Sequence, residues 1–514
     1  MHRGSIITAN QTRVVSRIFP RQVQDTLFIT CDIDDDPAGL SLPSSANVEM
    51  NDYSIESLNI IWPSLTNFNQ LQDNVLVGEY VLPVHISNPF NVQPQLYFVI
   101  TGVIANQATL LTDTSYCWFA REKAVYHAGS NKSWIGQVHD DGSGYSQHIV
   151  ELDHSDGSSV VTQVGTVVEY DDHNEPSILI RASDNRLFTC YAEHGASRNI
   201  RYRLSTNPLD GTAWGSETVK DIGAGSGNSD FYVTYPSCFE APDGTIIIIY
   251  RETGNGWSYI ISTDGGVTFG SRILFFYGED FRGYLTFKQS ADKNYIHFVG
   301  TGGHPNNDVA VDVYHFYMYL PTRNLFKSDG TAVDAFRPLT GDEGMTRVMD
   351  NVYPDSGWFE DIAIDGSGNP RILITYYPLG NRADFMRKDL YYSEWTGTEW
   401  TTPHKIHTAM TRSIKSTPGL DPIDTYPPNC CFDANDPDVI FASKEVDGIC
   451  EIHKITRLSA DNFLSEQLTF SSAVDQWRPF SVAASVRNCF WLNKISYPAF
   501  INTYDQDLIM ATIL

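Results

Sequence analysis

The residue types best suited to chemistry gather in one window of the chain, from Asp171 to Arg251. His173 lies in Asp171-Asp172-His173-Asn174-Glu175-Pro176, and His194 follows 21 positions later in Tyr191-Ala192-Glu193-His194-Gly195. Tyr235, in Tyr232-Val233-Thr234-Tyr235-Pro236, and Arg251, in Tyr250-Arg251-Glu252, stand 16 positions apart. Each pair spans one strand–turn–strand excursion, which returns the chain to the end it left, so the spacing predicts that all four side chains face one cleft. Two imidazoles and a phenol are proton-transfer groups, and a guanidinium is a permanent cation that clamps a carboxylate with two donors. Taken singly, each has a plain structural reading: a solvated turn histidine, a strand-end cap, a core aromatic, a surface partner for Glu252 or Asp243. It is their joint arrangement that points to a site.

The elements that must position them are strands. Helical periodicity is almost absent, and short apolar runs recur between Gly, Asp and Asn turns. Ser177-Ile178-Leu179-Ile180, Arg186-Leu187-Phe188-Thr189-Cys190-Tyr191, Thr245-Ile246-Ile247-Ile248-Ile249-Tyr250 and Arg371-Ile372-Leu373-Ile374-Thr375-Tyr376 are examples. Ser262-Thr263-Asp264-Gly265-Gly266-Val267-Thr268-Phe269 fits an Asp-box, a hairpin turn held by Ser and Asp side-chain bonds to backbone amides. Weaker echoes are Ser205-Thr206-Asn207 leading to Trp214, and Ser393-Glu394-Trp395 leading to Trp400. Asp-boxes mark outer hairpins of propeller blades. At ~40–60 residues per blade the stretch from residue 112 to 510 holds about seven of them. The fold class is therefore all-β: a seven-bladed β-propeller over residues 111–514, preceded by a small N-terminal β-rich domain over residues 1–110, which is expected to donate a strand that closes the ring.

Composition narrows the partners. The chain has 514 residues with 35 Lys and Arg against 62 Asp and Glu, a net charge of −27. That field repels phosphate, so neither nucleic acid nor an anionic membrane is an expected partner, and an anionic ligand must meet a local basic pocket. No stretch approaches ~20 uninterrupted apolar residues, and no signal peptide is visible at the start. The eight cysteines form no CxxC pair and read as buried free thiols.

Several motifs together resemble the BNR-repeat propeller family that contains ulvan lyases. They are Tyr116-Cys117-Trp118-Phe119-Ala120-Arg121, Asp171-Asp172-His173-Asn174, Tyr191-Ala192-Glu193-His194-Gly195, Tyr250-Arg251, Gly303-His304-Pro305, Val313-Tyr314-His315, Lys327-Ser328-Asp329-Gly330-Thr331, Val446-Asp447-Gly448 and Trp477-Arg478-Pro479-Phe480. The resemblance covers the propeller and not the first 110 residues. It implies a polysaccharide lyase that cleaves an acidic, ulvan-like polysaccharide by β-elimination and leaves unsaturated uronic acid ends. In that chemistry the uronate carboxylate must be neutralised before its C5 proton can leave, which suits Arg251. A base takes that proton and an acid protonates the departing O4, tasks for His173 and Tyr235 in an order the sequence leaves open, with His194 in support. An Arg beside Tyr235 would lower the phenol from its ordinary value of about 10.

Arg121, Arg198 and Asn174 are the expected polar substrate contacts, and Tyr191 and Trp257 the expected sugar-stacking rings. No cofactor is required for catalysis. His304 and His315, 11 positions apart, offer ligands for a structural Zn²⁺ or Ca²⁺ ion together with a cysteine or carboxylate from elsewhere. Action is expected outside the cell, secreted or virion-associated, with residues 1–110 as a docking module. The rival readings are a phage-borne capsule or exopolysaccharide depolymerase, a non-catalytic carbohydrate-binding propeller, and, ranked lower, a sialidase-like hydrolase, in which the Asp-Asp-His-Asn motif has no role.

Overall fold

In the computed structural model, residues 1–106 are described only as strand backbone. From residue 107 onward the structure describes all but 118–122, 166–170, 195–196, 224–231, 254–255, 278–282, 304–310, 334–343, 352–354, 379–386, 412–428, 461, 494–505 and 514. The chain divides into two compact units, one formed by residues 1–105 with short pieces at 466–468 and 513–514, the other by the remainder.

The first unit contains a five-stranded sheet, in which Leu27–Cys31 runs parallel to Gln95–Ile100, and a three-stranded sheet of Ser45–Glu49, Ile55–Ile61 and His85–Ser87. The second unit is the seven-bladed propeller. Its blades are four- to six-stranded antiparallel sheets, and their first strands follow one another along the chain. Blade 2 opens with Ser177–Ile180 and Arg186–Tyr191. Blade 3 opens with Val233–Glu240, Ile246–Glu252 and Gly256–Ser262, and blade 4 with Tyr284–Gln289. Blade 7 is composite: Gln476–Phe480, Asn488–Asn493 and Asp507–Ile513 are completed by Ile104–Leu111. That strand starts ahead of residue 110, the boundary expected from sequence, and it is the ring-closing strand.

Local chemistry explains why these residues form hairpins. In the Asp-box, Asp264 Oδ1 accepts from the amides of Val267 and Thr268 at 3.1 and 2.9 Å, and Ser262 Oγ accepts from Gly266 N at 2.8 Å. The bond from Thr268 Oγ1, followed by those from the Thr268 amide and Ser262 Oγ, holds the Asp264 carboxyl down at about 2. Gly266 sits at φ +87°, and a Cβ there would meet the Phe188 ring at 2.8 Å, so the box seats directly on the neighbouring blade. The two echoes close as isolated bridges, Ser205 to Trp214 and Trp395 to Trp400. Between blades, buried strands read as continuous apolar runs because both faces are covered: Ile246, Ile247, Ile248 and Ile249 are all fully buried. The seven described cysteines are buried and free, as expected.

His315 is fully buried in blade 4, where its Nε2 meets His297 Nδ1 at 3.1 Å and its Nδ1 meets Ser328 Oγ at 2.8 Å. His304, the other member of the expected metal pair, lies outside the described residues; among the described residues the ring of His315 meets a second histidine and Ser328. Burial pushes His297 down to about 4, and burial, with His297 disfavouring a second proton beside it, holds His315 well below 6.5. Both rings therefore fold neutral. A histidine with a depressed folded value stabilises the protein fully above its unfolded value near 6.5 and loses that contribution as pH falls toward the folded value. For His297 alone this amounts to about 3 kcal/mol between pH 6.5 and 4. Urea unfolding at a series of pH values checks it: His297→Gln should flatten the decline of stability across that window, and an unchanged slope would refute the assignment.

Candidate active site

The site starts from a six-residue turn. Asp171 caps a single 3₁₀ turn, Asp172–Asn174, by accepting from His173 N at 3.0 Å, and Pro176 then forces Glu175 into the extended conformation that leads into Ser177–Ile180. The tight turn buries Asp172, His173 and Asn174 together. Asp171 does more than cap. Its Oδ1 accepts from His173 Nδ1, and its Oδ2 accepts from His194 Nδ1 at 2.5 Å. With one carboxylate holding both rings by the same atom, the imidazoles stack at 4.1 Å with only 3° between their planes. Asp172 Oδ1 stands 2.8 Å from His173 Nδ1, and its Oδ2 receives Arg478 Nη1 at 2.8 Å.

Tyr235 arrives from blade 3 by a backbone irregularity. The register of Val233–Glu240 against Ile246–Glu252 slips between Thr234 and Ser237, and Tyr235 takes φ +55° immediately before Pro236. A left-handed tyrosine costs ~1–3 kcal/mol, and the bulge it forms re-aims the side chain out of strand alternation. The ring lies 5.1 Å from His173 and 6.2 Å from His194. Arg251 sits opposite Thr234 in the paired strand, with its guanidinium carbon 4.5 Å from the Tyr284 ring centre and 6.0 Å from that of Tyr235. Among the described residues no ion pair engages Arg251; it rests on aromatic faces, which hold a cation in place without neutralising it.

Charge is divided unequally between the two histidines. Burial opposes a proton on His173, but Asp171 and Asp172 outweigh it and raise His173 well above 6.5. His194 moves the other way: burial and the neighbouring His173 cation lower it, and its bond to Asp171 offsets this only in part. Both carboxyls stay ionised although burial opposes it, chiefly through His173, with Arg478 adding to Asp172. A neutral His194 whose Nδ1–H is given to Asp171 carries its lone pair on Nε2, and its side chain is one-third exposed. The charges of Asp171 and Asp172 match those of His173 and Arg478, which leaves Arg251 without an opposite charge among the described residues: a local basic pocket in a strongly acidic protein.

The structure thus brings His173, His194, Tyr235 and Arg251 together. Other expected contacts fall elsewhere. Tyr191 is wholly buried, its hydroxyl given to Val164 O at 2.9 Å and to Glu217, and Trp257 is wholly buried with Nε1 bonded to Gly283 O at 3.2 Å. Neither ring is open to a sugar; Trp257 instead backs Tyr235 at 6.3 Å. Asn174 is fully buried in the turn, Arg198 is half-exposed and paired with Asp221 at 2.9 Å, and Arg121 lies outside the described residues. Asp171, Tyr284 and Arg478 are site residues that the spacing argument missed. Asp171, His173 and His194 also place ligand atoms within 4.8 Å of one another. Their parallel rings, however, direct the nitrogen lone pairs along separate planes, which suits two hydrogen bonds to one carboxylate better than one metal ion.

Comparison with known proteins agrees with this architecture. A family model described as "BNR repeat-containing family member" matches residues 126–406. No curated protein matches in sequence. Among solved structures, a PL25 ulvan lyase bound to -[GlcA(1-4)Rha3S]- superposes with a TM-score of 0.58 at 15% identity, over 79% of this chain and 96% of that one. The polysaccharide lyase Uly1 does so with a TM-score of 0.50 at 13% identity, over 80% and 99%. At these identities the likeness is one of fold.

The split protonation is measurable by histidine-selective ¹⁵N NMR. At pH 7.5 His173 should appear as a cation and His194 as the neutral Nδ1–H tautomer. Asp171→Asn should lower the His173 titration and release the Nδ1–H tautomer of His194, while Asp172 still favours a proton on His173; two like tautomers in the unsubstituted protein would contradict it.

Proposed function

The chain belongs to the BNR repeat-containing family, and on that footing we propose that it is a polysaccharide lyase that cleaves a uronic-acid-containing, sulfated, ulvan-like polymer by β-elimination. The observation that carries this reading is Arg251, without an ion pair among the described residues, set beside Tyr235, whose ring in turn packs near the two imidazoles held by Asp171. In the proposed reaction Arg251 takes the uronate carboxylate with two donors, which acidifies the C5 proton; cationic His173 adds its field. His194 Nε2 removes that proton, because His173 already holds one. The electron pair forms the C4=C5 bond, the C4–O4 bond breaks, and the Tyr235 hydroxyl protonates the departing O4. These four side chains supply charge neutralisation and both proton transfers, so the steps call for no cofactor. The uronate–sulfated rhamnose repeat held by the solved PL25 enzyme motivates the substrate class, and a polymer of that kind places the action outside the cell.

The test is ultraviolet absorbance of the conjugated double bond during incubation with ulvan and other uronic-acid polysaccharides. Tyr235→Phe, His194→Ala and Arg251→Ala should each cost at least ~100-fold in rate. Activity of the unsubstituted protein should fall as pH drops below 6.5, where His194 acquires its proton. Chain shortening without new absorbance would identify a hydrolase instead, and binding without cleavage a recognition propeller.

A further inference from the structure

Arg478 is fully buried, in the first strand of blade 7, far in sequence from the turn it touches. Its Nη1 reaches Asp172 Oδ2 and Tyr116 O, each at 2.8 Å; the Tyr116 hydroxyl donates in return to the Arg478 carbonyl; and its guanidinium lies 4.5 Å from the Trp477 ring centre. Arg478 repeats the backbone device of Tyr235. It has φ +52°, precedes Pro479, and sits where the register slips between Trp477 and Phe480. Two blades thus use a left-handed residue followed by proline to turn a side chain out of the strand, once for Tyr235 and once for Arg478.

A buried ion pair is poor evidence of stabilisation, since apolar residues of similar volume commonly serve as well. Retaining both a buried charge pair and a strained backbone calls for another reason, and Asp172 supplies it: one oxygen faces Arg478 and the other faces His173 Nδ1. We propose that Arg478 is a positioning residue that acts through Asp172 to hold the His173 ring, so that the blade closed by Ile104–Leu111 completes the site begun by the turn before blade 2. The inference rests on the lyase reading for its catalytic meaning, not for its geometry.

Without Arg478, Asp172 is a buried carboxylate with its countercharge removed, and it takes up a proton. His173 then loses one of its two carboxylate acceptors. Among the described residues, the other groups seen to face His173 are Asp171 from its own turn, His194 from blade 2 and Tyr235 from blade 3. Cys117, whose thiol feels the His173 charge, and the Lys123–Glu175 pair, at 3.7 Å, stand near the same turn. None of these replaces Asp172 at Nδ1 except Asp171, which already occupies it.

The experiment is a histidine-selective ¹⁵N NMR titration of the full chain and of Arg478→Met, Arg478→Lys and Asp172→Asn, with turnover measured in parallel. Arg478→Met and Asp172→Asn should move the His173 titration to lower pH by at least ~1 unit, Arg478→Lys by less, and kcat should fall ~10- to 100-fold while KM changes little. If Arg478→Met does not fold, the isosteric Asp172→Asn and the charge-preserving Arg478→Lys carry the same comparison. An unmoved His173 titration in folded variants overturns the proposal. Absence of turnover in the unsubstituted protein defeats the lyase reading alone, because the titration shift still decides the role of Arg478.

Discussion

The site depends on one carboxylate accepting from two imidazoles. Asp171 holds both Nδ1 atoms while the rings lie face to face, and at that distance a proton on one disfavours a proton on the other. Identical side chains are thereby driven into different protonation states by geometry, without any difference in their covalent chemistry. The arrangement also fixes the tautomer: the Nδ1 edge of each ring is held by Asp171, and His194, one-third exposed, is the ring of the pair that reaches toward the cleft. Burial makes this division strong. In water a shared carboxylate would bias the pair weakly; with Asp171 and His173 buried, each contact acts more strongly.

The second constraint is that a propeller's strands run with side chains alternating between neighbouring blades, so a regular strand cannot point a residue along the axis. The molecule meets this by local irregularity. A 3₁₀ turn presents His173, and a bulge with a left-handed residue before proline presents Tyr235. Arg251 keeps regular register and gains its position from the aromatic faces of Tyr284 and Tyr235. Strain at Tyr235 persists because the flanking strands, each paired over several residues, over-determine it.

Much of this was legible in the chain. Strand runs, Gly/Asp turns and the Asp-box are local signals with local causes, so the blades could be read directly, and the excursion lengths brought the four reactive residues to one cleft. What escaped was non-local or angular. Asp171 stood in plain sight beside His173, but that its second oxygen reaches His194 depends on how blade 2 twists. Arg478 was visible only as part of a motif, since its partner Asp172 is 306 positions away. Tyr191 and Trp257 were misplaced for a related reason: alternation along a strand tells which residues share a face, and not which face looks inward to a neighbouring blade. The Tyr235-Pro236 and Arg478-Pro479 pairs were the one readable hint, because proline inside a first strand requires a bulge or an edge.

Blade 7 has a consequence for how the protein is made. Its outermost strand, Ile104–Leu111, leaves the ribosome roughly 400 residues before Asp507–Ile513, which at ordinary elongation rates is a wait of about 20–80 s. Hairpins close in about 1–10 μs, so every other blade is paired almost as soon as it emerges. The ring-closing strand alone spends that interval as an open edge, with unsatisfied amides and carbonyls that any extended chain nearby is able to borrow. On a crowded polysome the nearest such chain is another copy at a later stage of synthesis, whose own Asp507–Ile513 offers the same hydrogen bonds.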